Sequence, residues 1–323
     1  MLSDRHKLEL LGLPPIETLS DLAQATHLSK VLLYRLINHT DKQYKVYSIP
    51  KSKGKRREIC QPSKELKAVQ SWVLRKIADK LSVHTACKGF EKGSGVKDNV
   101  LPHIGALVFL CVDIENFFPN VVASRVWTLF RSLGYSADIA GFLTCICTFK
   151  RGLPQGSPVS PKLANLCCYR LDHRLSTFAG ARGIVYSRYA DDMTFSGYSY
   201  GRVNGALSSI RTIVKSEGFR LNNLKTRVMG PARRRKITGL VMASDFAGIG
   251  RIKLRELRSR IFRLSIVPKK KADPDELATI KGWLAYVKDV DHRRYEILLK
   301  YIANICDRHP KSLITNLESL LKA

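Results

Sequence analysis

Residues 185–196 read Val-Tyr-Ser-Arg-Tyr-Ala-Asp-Asp-Met-Thr-Phe-Ser, with two adjacent aspartates, Asp191 and Asp192, at the centre. Apolar and β-prone residues flank the pair, which predicts a strand, a tight turn and a second strand with the carboxylates at the turn. Adjacent carboxylates repel each other and favour a cation, and oxygen ligands alone suit Mg²⁺ better than zinc. Considered alone, this run is better explained as an acidic turn, so a metal site needs support from elsewhere in the chain.

A third carboxylate supplies that support. Residues 106–112 form an apolar run that predicts a buried strand, and the run ends at Asp113. A charged group at the end of a buried strand is either paired or bound to metal. If this strand packs antiparallel to the hairpin, Asp113 converges with Asp191 and Asp192, and the three carboxylates can hold two Mg²⁺ ions for phosphoryl transfer.

The charge of the chain indicates the substrate. Its 323 residues include 55 Lys and Arg against 27 Asp and Glu, a formal net charge of +28. The basic residues recur in separate blocks, which favours nucleic acid as the partner over a membrane surface. The apolar run Ile104–Val112 is too short to span a bilayer and no signal peptide opens the chain, so we expect a cytoplasmic protein without a membrane partner. None of the eight cysteines forms a C-x-x-C pair, which favours reduced buried thiols over zinc ligation.

Basic and glycine-containing segments mark further candidate sites. Residues 47–62 predict a β-hairpin with a basic turn, which is either solvated surface or a phosphate clamp. Residues 151–161 form a Gly/Pro-rich loop in which Gly152 and Gly156 let another molecule approach the backbone. A single helix is expected after this loop, with Ser160 as its N-cap and an apolar stripe through Phe178.

The remaining elements are mostly helical. Residues 22–28, capped by Ser20 and Asp21, and residues 30–38 predict two helices that we interpret as a packing pair rather than a DNA-reading unit. Residues 218–228 predict a strand, a turn and a strand, and residues 237–241 a short strand. The segment from about residue 244 predicts basic helices, the first with an arginine face separate from its apolar stripe.

Three ordered segments resemble the signatures of reverse transcriptases. They are Phe-Leu-Cys-Val-Asp-Ile-Glu-Asn-Phe-Phe at 109–118, Gly-Leu-Pro-Gln-Gly-Ser-Pro at 152–158 and Tyr-Ala-Asp-Asp at 189–192. Two more resemble signatures of bacterial retron reverse transcriptases. Asn99 and His103 match an Asn-Ala-x-x-His motif with Val in place of Ala, and residues 237–239 match Val-Thr-Gly with Ile in place of Val.

The resemblance implies an α/β (α+β) right-hand polymerase fold. The expected fingers are residues 1–104 and 121–155. The expected palm, with a ferredoxin-like sheet, comprises residues 105–120 and 156–243. The expected thumb is helical, binds RNA and comprises residues 244–323.

The resemblance also implies a role for individual residues. Asp113, Asp191 and Asp192, with the carbonyl of Ile114, would bind two Mg²⁺ ions, and Lys225 would act as a general acid. The nucleotide-binding residues would be Lys51, Lys53, Arg57, Phe118, Gln155 and Gly156. The residues holding primer or RNA would be Tyr189, Asn99, His103, Thr238, Gly239, Arg251, Arg255 and Arg258. For Asn99 and His103, bracing a loop is an equal alternative.

The expected function is RNA-directed DNA synthesis from dNTPs on a cognate structured noncoding RNA, which gives single-stranded DNA covalently joined to RNA. The expected setting is anti-phage defence with a separate effector protein. Two alternatives stay open at this point: a group II intron-like or abortive-infection reverse transcriptase, or an RNA–DNA scaffold that restrains a toxin. The Asn99, His103 and Thr238 signatures argue against the first, and the intact aspartates argue that catalysis is present in the second.

Overall fold

A four-stranded antiparallel sheet lies at the centre of the protein. The computed structural model describes residues 4–50, 56–233, 235–266 and 274–309. The sheet has the order β4-β5-β3-β6. Its strands are β3 (Val108–Asp113), β4 (Val185–Tyr189), β5 (Asp192–Gly197) and β6 (Arg227–Met229). The buried strand and the hairpin expected from the sequence are therefore adjacent and antiparallel, as the convergence of the aspartates requires.

Strand β3 is buried on both faces because its alternate residues belong to two different cores. Val108, Leu110 and Val112 pack into a large core, whereas Phe109 and Cys111 pack into a second one. Side chains alternate across a strand, so a strand between two cores must be apolar at every position. This explains why residues 108–112 form an uninterrupted apolar run.

The large core joins the sheet to the helices that surround it, and it extends from Leu8 to Phe219. Helices α10 and α11 pack against the sheet. The helices of this part are α1 (Asp4–Leu10), α2 (Leu19–Thr26), α3 (Lys30–Asn38), α4 (Lys64–Lys76), α5 (Val96–Val100), α6 (Phe117–Asn120), α7 (Ala123–Leu133), α8 (Ala137–Cys147), α9 (Ser160–Cys167), α10 (Tyr169–Gly180) and α11 (Tyr200–Ser216). The ranges expected for fingers and palm share this one core, so their boundary stays a prediction.

The second core holds the C-terminal helices together. They are α12 (Gly250–Ile266), α13 (Pro274–Val290) and α14 (His292–Arg308), and Leu257, Ile261 and Leu264 supply the buried face of α12. A small sheet of order β7-β8-β9 joins them to the rest: β7 (Lys236–Ile237), β8 (Leu240–Met242) and β9 (Ala247–Gly248). No helix in the described ranges is long and apolar enough to cross a membrane.

An N-terminal two-stranded sheet, β1 (Tyr44–Pro50) with β2 (Arg56–Pro62), confirms the predicted basic hairpin. Its turn, with Lys51 and Lys53, lies outside the described residues. Backbone hydrogen bonding attaches this hairpin to the Gly/Pro-rich loop, because the Cys60 N–H donates to the Gln155 carbonyl at 2.8 Å.

Three local expectations are wrong. The predicted helix through Phe178 is two helices, because Cys168 has φ −89° and ψ 3° and interrupts the helical path between α9 and α10. Ser160 is the first residue of α9 rather than its cap, and its buried hydroxyl has no hydrogen-bond partner among the described residues. Helix α2 begins earlier than expected because Thr18, with Asp21 in a reciprocal pair of hydrogen bonds, is the cap.

Residues 237–241 also differ from the expected single strand. Ile237 pairs with Leu240 across a two-residue turn, so the segment is a hairpin. Thr238 and Gly239 have φ values of 42° and 93°, the pattern of a type I′ turn. Glycine adopts this backbone freely, whereas a β-branched threonine does so only under strain.

Candidate active site

The β4–β5 hairpin turns at Ala190 and Asp191. Strand β4 ends at Tyr189 and β5 begins at Asp192, so the turn has two central residues. Ala190 has a φ of 57°, which non-glycine residues rarely adopt. A positive φ at the first central residue is the feature of a type II′ turn, which fits the twist of a hairpin. The hairpin is confirmed, with Asp191 in the turn and Asp192 as the first residue of β5.

Strand register brings the three aspartates to one end of the sheet. Asp113, the last residue of β3, lies directly opposite Asp192 in the antiparallel pair β3–β5. The N–H of Ile114 donates to the carbonyl of Asp191 at 2.9 Å, which fixes the turn beside the end of β3. The convergence expected from the sequence is thus present in the structure.

Lys225 lies in the turn before β6 and contacts Asp113. The N–H of Asn222 donates to the Asp113 carbonyl at 2.8 Å, which attaches this turn to the end of β3. The Asn222 side chain in turn accepts from the N–H of Leu224 at 3.1 Å and shapes the turn. The Lys225 ammonium then donates to Oδ2 of Asp113 in a salt bridge.

Burial and mutual repulsion govern the charges of this cluster. Burial raises the pKa of Asp113, and the charge of Asp191 raises it further, while the hydrogen bond from Lys225 acts in the opposite direction. Burial, together with the negative charges of Asp191 and Asp113, raises the pKa of Asp192 to about 6. Burial opposes the charge of Lys225, but the bond to Asp113 and the charges of the aspartates outweigh it and raise the Lys225 pKa.

The donor chemistry of the cluster fits a divalent cation. Among the described residues, Lys225 is bonded to Asp113 and the charge of Arg227 also acts on Asp192, so two cations face three carboxylates, and the ligand atoms that these side chains offer are oxygens. Within the described ranges, no three acidic, histidine or cysteine side chains already surround a common metal position. The salt bridge from Lys225 occupies one oxygen of Asp113, so the ammonium and a cation would compete for that oxygen.

A cleft of about 540 Å³ opens beside the aspartates. Asp113, Asp191 and Lys225 lie on one side of it, and residues from the basic hairpin and the Gly/Pro-rich loop complete its lining. Three of the residues expected to bind nucleotide line the cleft: Arg57, Phe118 and Gln155. The cleft also includes Arg56, Lys150 and Asn222, which the sequence reasoning did not single out. Lys150 directly precedes the Gly/Pro-rich loop at residues 151–161, and this position in the sequence could have indicated that it lines the cleft.

Gly156 is not part of this lining, and the close approach it permits is to the protein's own backbone. A Cβ at this position would lie 2.6 Å from the Cys60 carbonyl oxygen, and its φ is 135°. Gly152 is similar, because a Cβ there would collide with the backbone of Pro119. The expectation that these glycines admit another molecule is therefore wrong: they let the loop pack against β2 and α6.

A buried arginine, Arg188, bonds to the turn between β4 and β5, and the sequence patterns did not predict this role. Arg188 is fully buried and binds Asp172 through two hydrogen bonds, of 2.8 and 2.6 Å. Its remaining Nη1 donates to Asn165 at 3.1 Å and to the Ala190 carbonyl at 3.0 Å. The arginine thus fixes a carbonyl of the turn that carries Asp191. The signal in the sequence is an arginine within an apolar strand, directly before Tyr-Ala-Asp-Asp.

The residues expected to hold primer or RNA divide into buried and accessible groups. Tyr189 is half-buried, with its ring 6.4 Å from that of Phe90. Asn99 and His103 are fully buried, so neither side chain reaches solvent in this structure, and the expectation that they help hold RNA stays a prediction. Thr238 is half-buried and Gly239 is exposed.

Three arginines of α12 are exposed on one face of the helix. Arg251, Arg255 and Arg258 follow at spacings of four and three residues and all reach solvent. The Arg258 guanidinium lies 4.4 Å from the centre of the Tyr301 ring, which holds it against α14. The three form a continuous basic strip.

Comparison with known proteins gives the family. Residues 49–242 match the sequence model of the protein family named reverse transcriptase (RNA-dependent DNA polymerase). Retron Ec86 reverse transcriptase of Escherichia coli is 42% identical over 308 residues, which is 95% of each chain. Retron Mx162 reverse transcriptase of Myxococcus xanthus is 33% identical, over 91% of this chain and 68% of that protein.

Among solved structures, a foamy viral protease-reverse transcriptase in complex with double-stranded DNA overlaps 84% of this chain and 44% of its own. The TM-score is 0.45 and the identity 14%. Reverse transcriptases generally use divalent metal ions, which agrees with the donor set at the end of the sheet. The family match and the two retron relatives show that this chain belongs to the reverse transcriptase family, as an RNA-directed DNA polymerase of the retron type.

Proposed function

We propose that Asp113, Asp191 and Asp192, with the carbonyl of Ile114, bind two Mg²⁺ ions for the addition of deoxynucleotides to a primer on an RNA template. The observation that carries this proposal is the register, in which Asp113 lies opposite Asp192 with the Asp191 turn beside them. When bound, the ions would activate the primer hydroxyl and neutralise charge on the transferred phosphoryl group.

Lys225 acts as the general acid in this proposal. Its raised pKa keeps the ammonium protonated at neutral pH. A protonated amine at the edge of the cleft can give a proton to the leaving pyrophosphate. Its bond to Asp113 holds it close to the reacting groups before substrate enters.

The cleft selects and orients the nucleotide in this proposal. Phe118 and Gln155 both line the cleft, and the Phe118 ring would block a ribose 2′-hydroxyl there. Arg57, with Lys51 or Lys53 from the turn outside the described residues, would bind the triphosphate. Gly156 supports the cleft indirectly, because it lets the loop with Gln155 pack on β2.

The substrate and product that we propose are those of a retron. A structured noncoding RNA would serve as template and binding partner, and DNA synthesis would begin at an internal guanosine 2′-hydroxyl. The product would be single-stranded DNA covalently joined to RNA, and it would act with a separate effector protein in anti-phage defence. The retron relatives support this product, and the basic strip of α12 supports RNA binding by the C-terminal helices.

The double variant Asp191→Asn/Asp192→Asn tests the catalytic proposal. We expect it to abolish primer extension with Mg²⁺ and dNTPs, because neutral amides remove two of the three anionic ligands, while RNA binding persists. Extension is measured on a labelled primer and binding by anisotropy of a labelled RNA. Extension at the wild-type rate by the double variant would overturn the metal assignment.

Nucleic acid that copurifies with the protein tests the retron proposal. The protein is purified from its host and the bound nucleic acid is sequenced before and after RNase treatment. We expect one RNA covalently joined to single-stranded DNA. Random cellular RNA without attached DNA would contradict the retron product and leave the polymerase assignment intact.

A further inference from the structure

Five polar side chains form a continuous chain of hydrogen bonds behind the catalytic hairpin. His103 contacts the Ser196 hydroxyl through Nδ1 and the Ser187 hydroxyl through Nε2, each at 2.7 Å. The Ser187 hydroxyl also bonds to Oδ1 of Asn99 at 2.8 Å. The chain ends where Nδ2 of Asn99 donates to the Thr238 hydroxyl at 3.4 Å.

The chemistry of the donors and acceptors fixes the direction of this chain. The Asn99 Oδ1 can only accept, so the Ser187 hydroxyl donates to it and accepts from His103. His103 therefore carries its proton on Nε2, and its Nδ1 accepts from the Ser196 hydroxyl. Burial lowers the pKa of His103 to about 4, which agrees with a neutral ring. Each member consequently has a partner.

This chain is closed to nucleic acid along most of its length. Asn99, His103 and Ser196 are fully buried and Ser187 is 1% exposed. Only Thr238, at its far end, is partly accessible. Buried polar groups are costly unless they are bonded, so a fully bonded network of this kind fixes the relative positions of the elements that carry it.

The elements that this network connects include β4 and β5, the two strands on either side of Asp191. Ser187 lies on β4 and Ser196 on β5, so His103 bonds to both strands of the catalytic hairpin. Asn99 lies on α5, which packs against β4 on one side and α13 on the other. Thr238 keeps a φ of 42° in a turn where an unbranched residue would be less strained, and its hydroxyl is the group that the network uses.

We propose that Asn99, His103 and Thr238 are positioning residues, which hold the catalytic hairpin in register through Ser187 and Ser196 instead of contacting RNA. The network connects the β7–β8 turn, at the base of the C-terminal helices, to both strands that carry Asp191 and Asp192. This inference rests on the proposed function, because the quantity it affects is the rate of nucleotide addition.

Thr238→Val, with Thr238→Ser as its partner, is the most direct test. Valine keeps the branched shape and the strained backbone but lacks the hydroxyl, whereas serine restores the hydroxyl. At saturating primer–template and dNTP, we expect Thr238→Val and Ser187→Ala each to lower kcat by roughly tenfold or more, because small displacements of reacting groups are expensive. The KM for dNTP and the Kd for structured RNA should stay within about twofold, and Thr238→Ser should recover the rate.

Coupling provides a second readout. Asn99→Ala and Thr238→Val remove two ends of one hydrogen bond, so we expect the double variant to lose about as much rate as Asn99→Ala alone. Thr144→Val is the matched control, because it deletes a buried hydroxyl that bonds only within its own helix, to the Ala140 carbonyl. We expect kcat of this control to stay at the wild-type value.

The outcomes separate cleanly. The proposed function is supported if the wild-type protein extends the primer and the Asp191→Asn/Asp192→Asn variant does not. The variants of Thr238, Ser187 and Asn99 then test the positioning inference separately. A weakened RNA Kd at unchanged kcat in Thr238→Val would overturn it in favour of RNA contact, and so would wild-type values of both constants. If Ser187→Ala does not fold, as measured by its thermal melting, Thr238→Val in the partly exposed turn still decides the question.

Discussion

Asp113 experiences two opposing influences at the level of the single residue. Burial disfavours its charge, and the bonded Lys225 ammonium favours it. Burial, together with the charges of Asp191 and Asp113, raises the pKa of Asp192 to about 6. A bound cation would relieve this repulsion, so carboxylates arranged in this way favour metal binding.

Acid should destabilise the fold through His103. The folded pKa of about 4 lies below the ordinary 6.5, so between these values the unfolded chain binds the additional proton. The free energy of unfolding should therefore fall as pH decreases from 6.5 towards 4, by about 2 kcal/mol at pH 5 from this group. Urea unfolding of wild type and His103→Gln at pH 7.5 and 5 measures it.

The glutamine amide can both donate and accept hydrogen bonds but does not titrate, so comparison with it separates the effect of His103 from that of other titrating groups. We expect His103→Gln to lose less stability than wild type between the two pH values. An equal loss in both proteins would show that His103 does not titrate in this way.

Phe118 should control the choice of sugar. Its half-buried ring lines the cleft beside Asp113 and Gln155. Phe118→Ala removes the wall against a 2′-hydroxyl, so discrimination against ribonucleotides should fall roughly 10- to 100-fold. The ratio of kcat/KM for dNTP and rNTP, measured by single-nucleotide extension, gives the result, and an unchanged ratio would contradict the assignment of this ring.

At the level of the element, the catalytic hairpin is held by buried polar bonds on two sides. Arg188 bonds to the Ala190 carbonyl, and the network through His103 bonds to both strands. The turn residue Ala190 has a positive φ, which persists because its surroundings fix it.

Breaking the Arg188–Asp172 pair should strongly destabilise the protein. Both side chains are fully buried, so Arg188→Met leaves the Asp172 carboxylate without its main partner. We expect a loss of about 3–5 kcal/mol in the free energy of unfolding, measured by chemical denaturation. Glu9→Ala, in the exposed pair with Arg5, is the control and should cost at most about 1 kcal/mol. A loss as small as the control's would mean that the buried pair contributes little.

Patterns of apolar residues predicted the elements that form the site, whereas tertiary contacts decided the rest. The apolar run of β3 and the β-prone residues that flank Asp191 and Asp192 are local signals, so strand, hairpin and convergence could be predicted from the sequence. The interruption at Cys168 leaves the helical apolar stripe unbroken, and it therefore gave no signal. The burial of Asn99 and His103 was equally hidden, because their partners Ser187, Ser196 and Thr238 are distant in the chain.

At the scale of the whole molecule, two cores meet across β3. Asp113 lies at the end of the strand that both cores bury, and Asp192 lies opposite it, so both cores fix the position of this pair. The exposed arginines of α12 belong to the second core's outer surface. Nucleic acid bound along this surface would therefore contact the helices of the second core, and it would be copied at the aspartates, where the two cores meet.

The arginine strip should make nucleic-acid binding depend on salt. With a net charge of +28, the protein releases counterions when it binds phosphates, so log Kd should rise steeply and linearly with log salt. If Arg251 and Arg255 each contact one phosphate, the double alanine variant should lower the slope by about 1.8 on duplex substrate. Arg5→Ala is the control, because Glu9 and Glu17 already balance its charge. Anisotropy titrations between low and moderate salt measure the slopes, and an unchanged slope in the double variant would remove the strip from the binding surface.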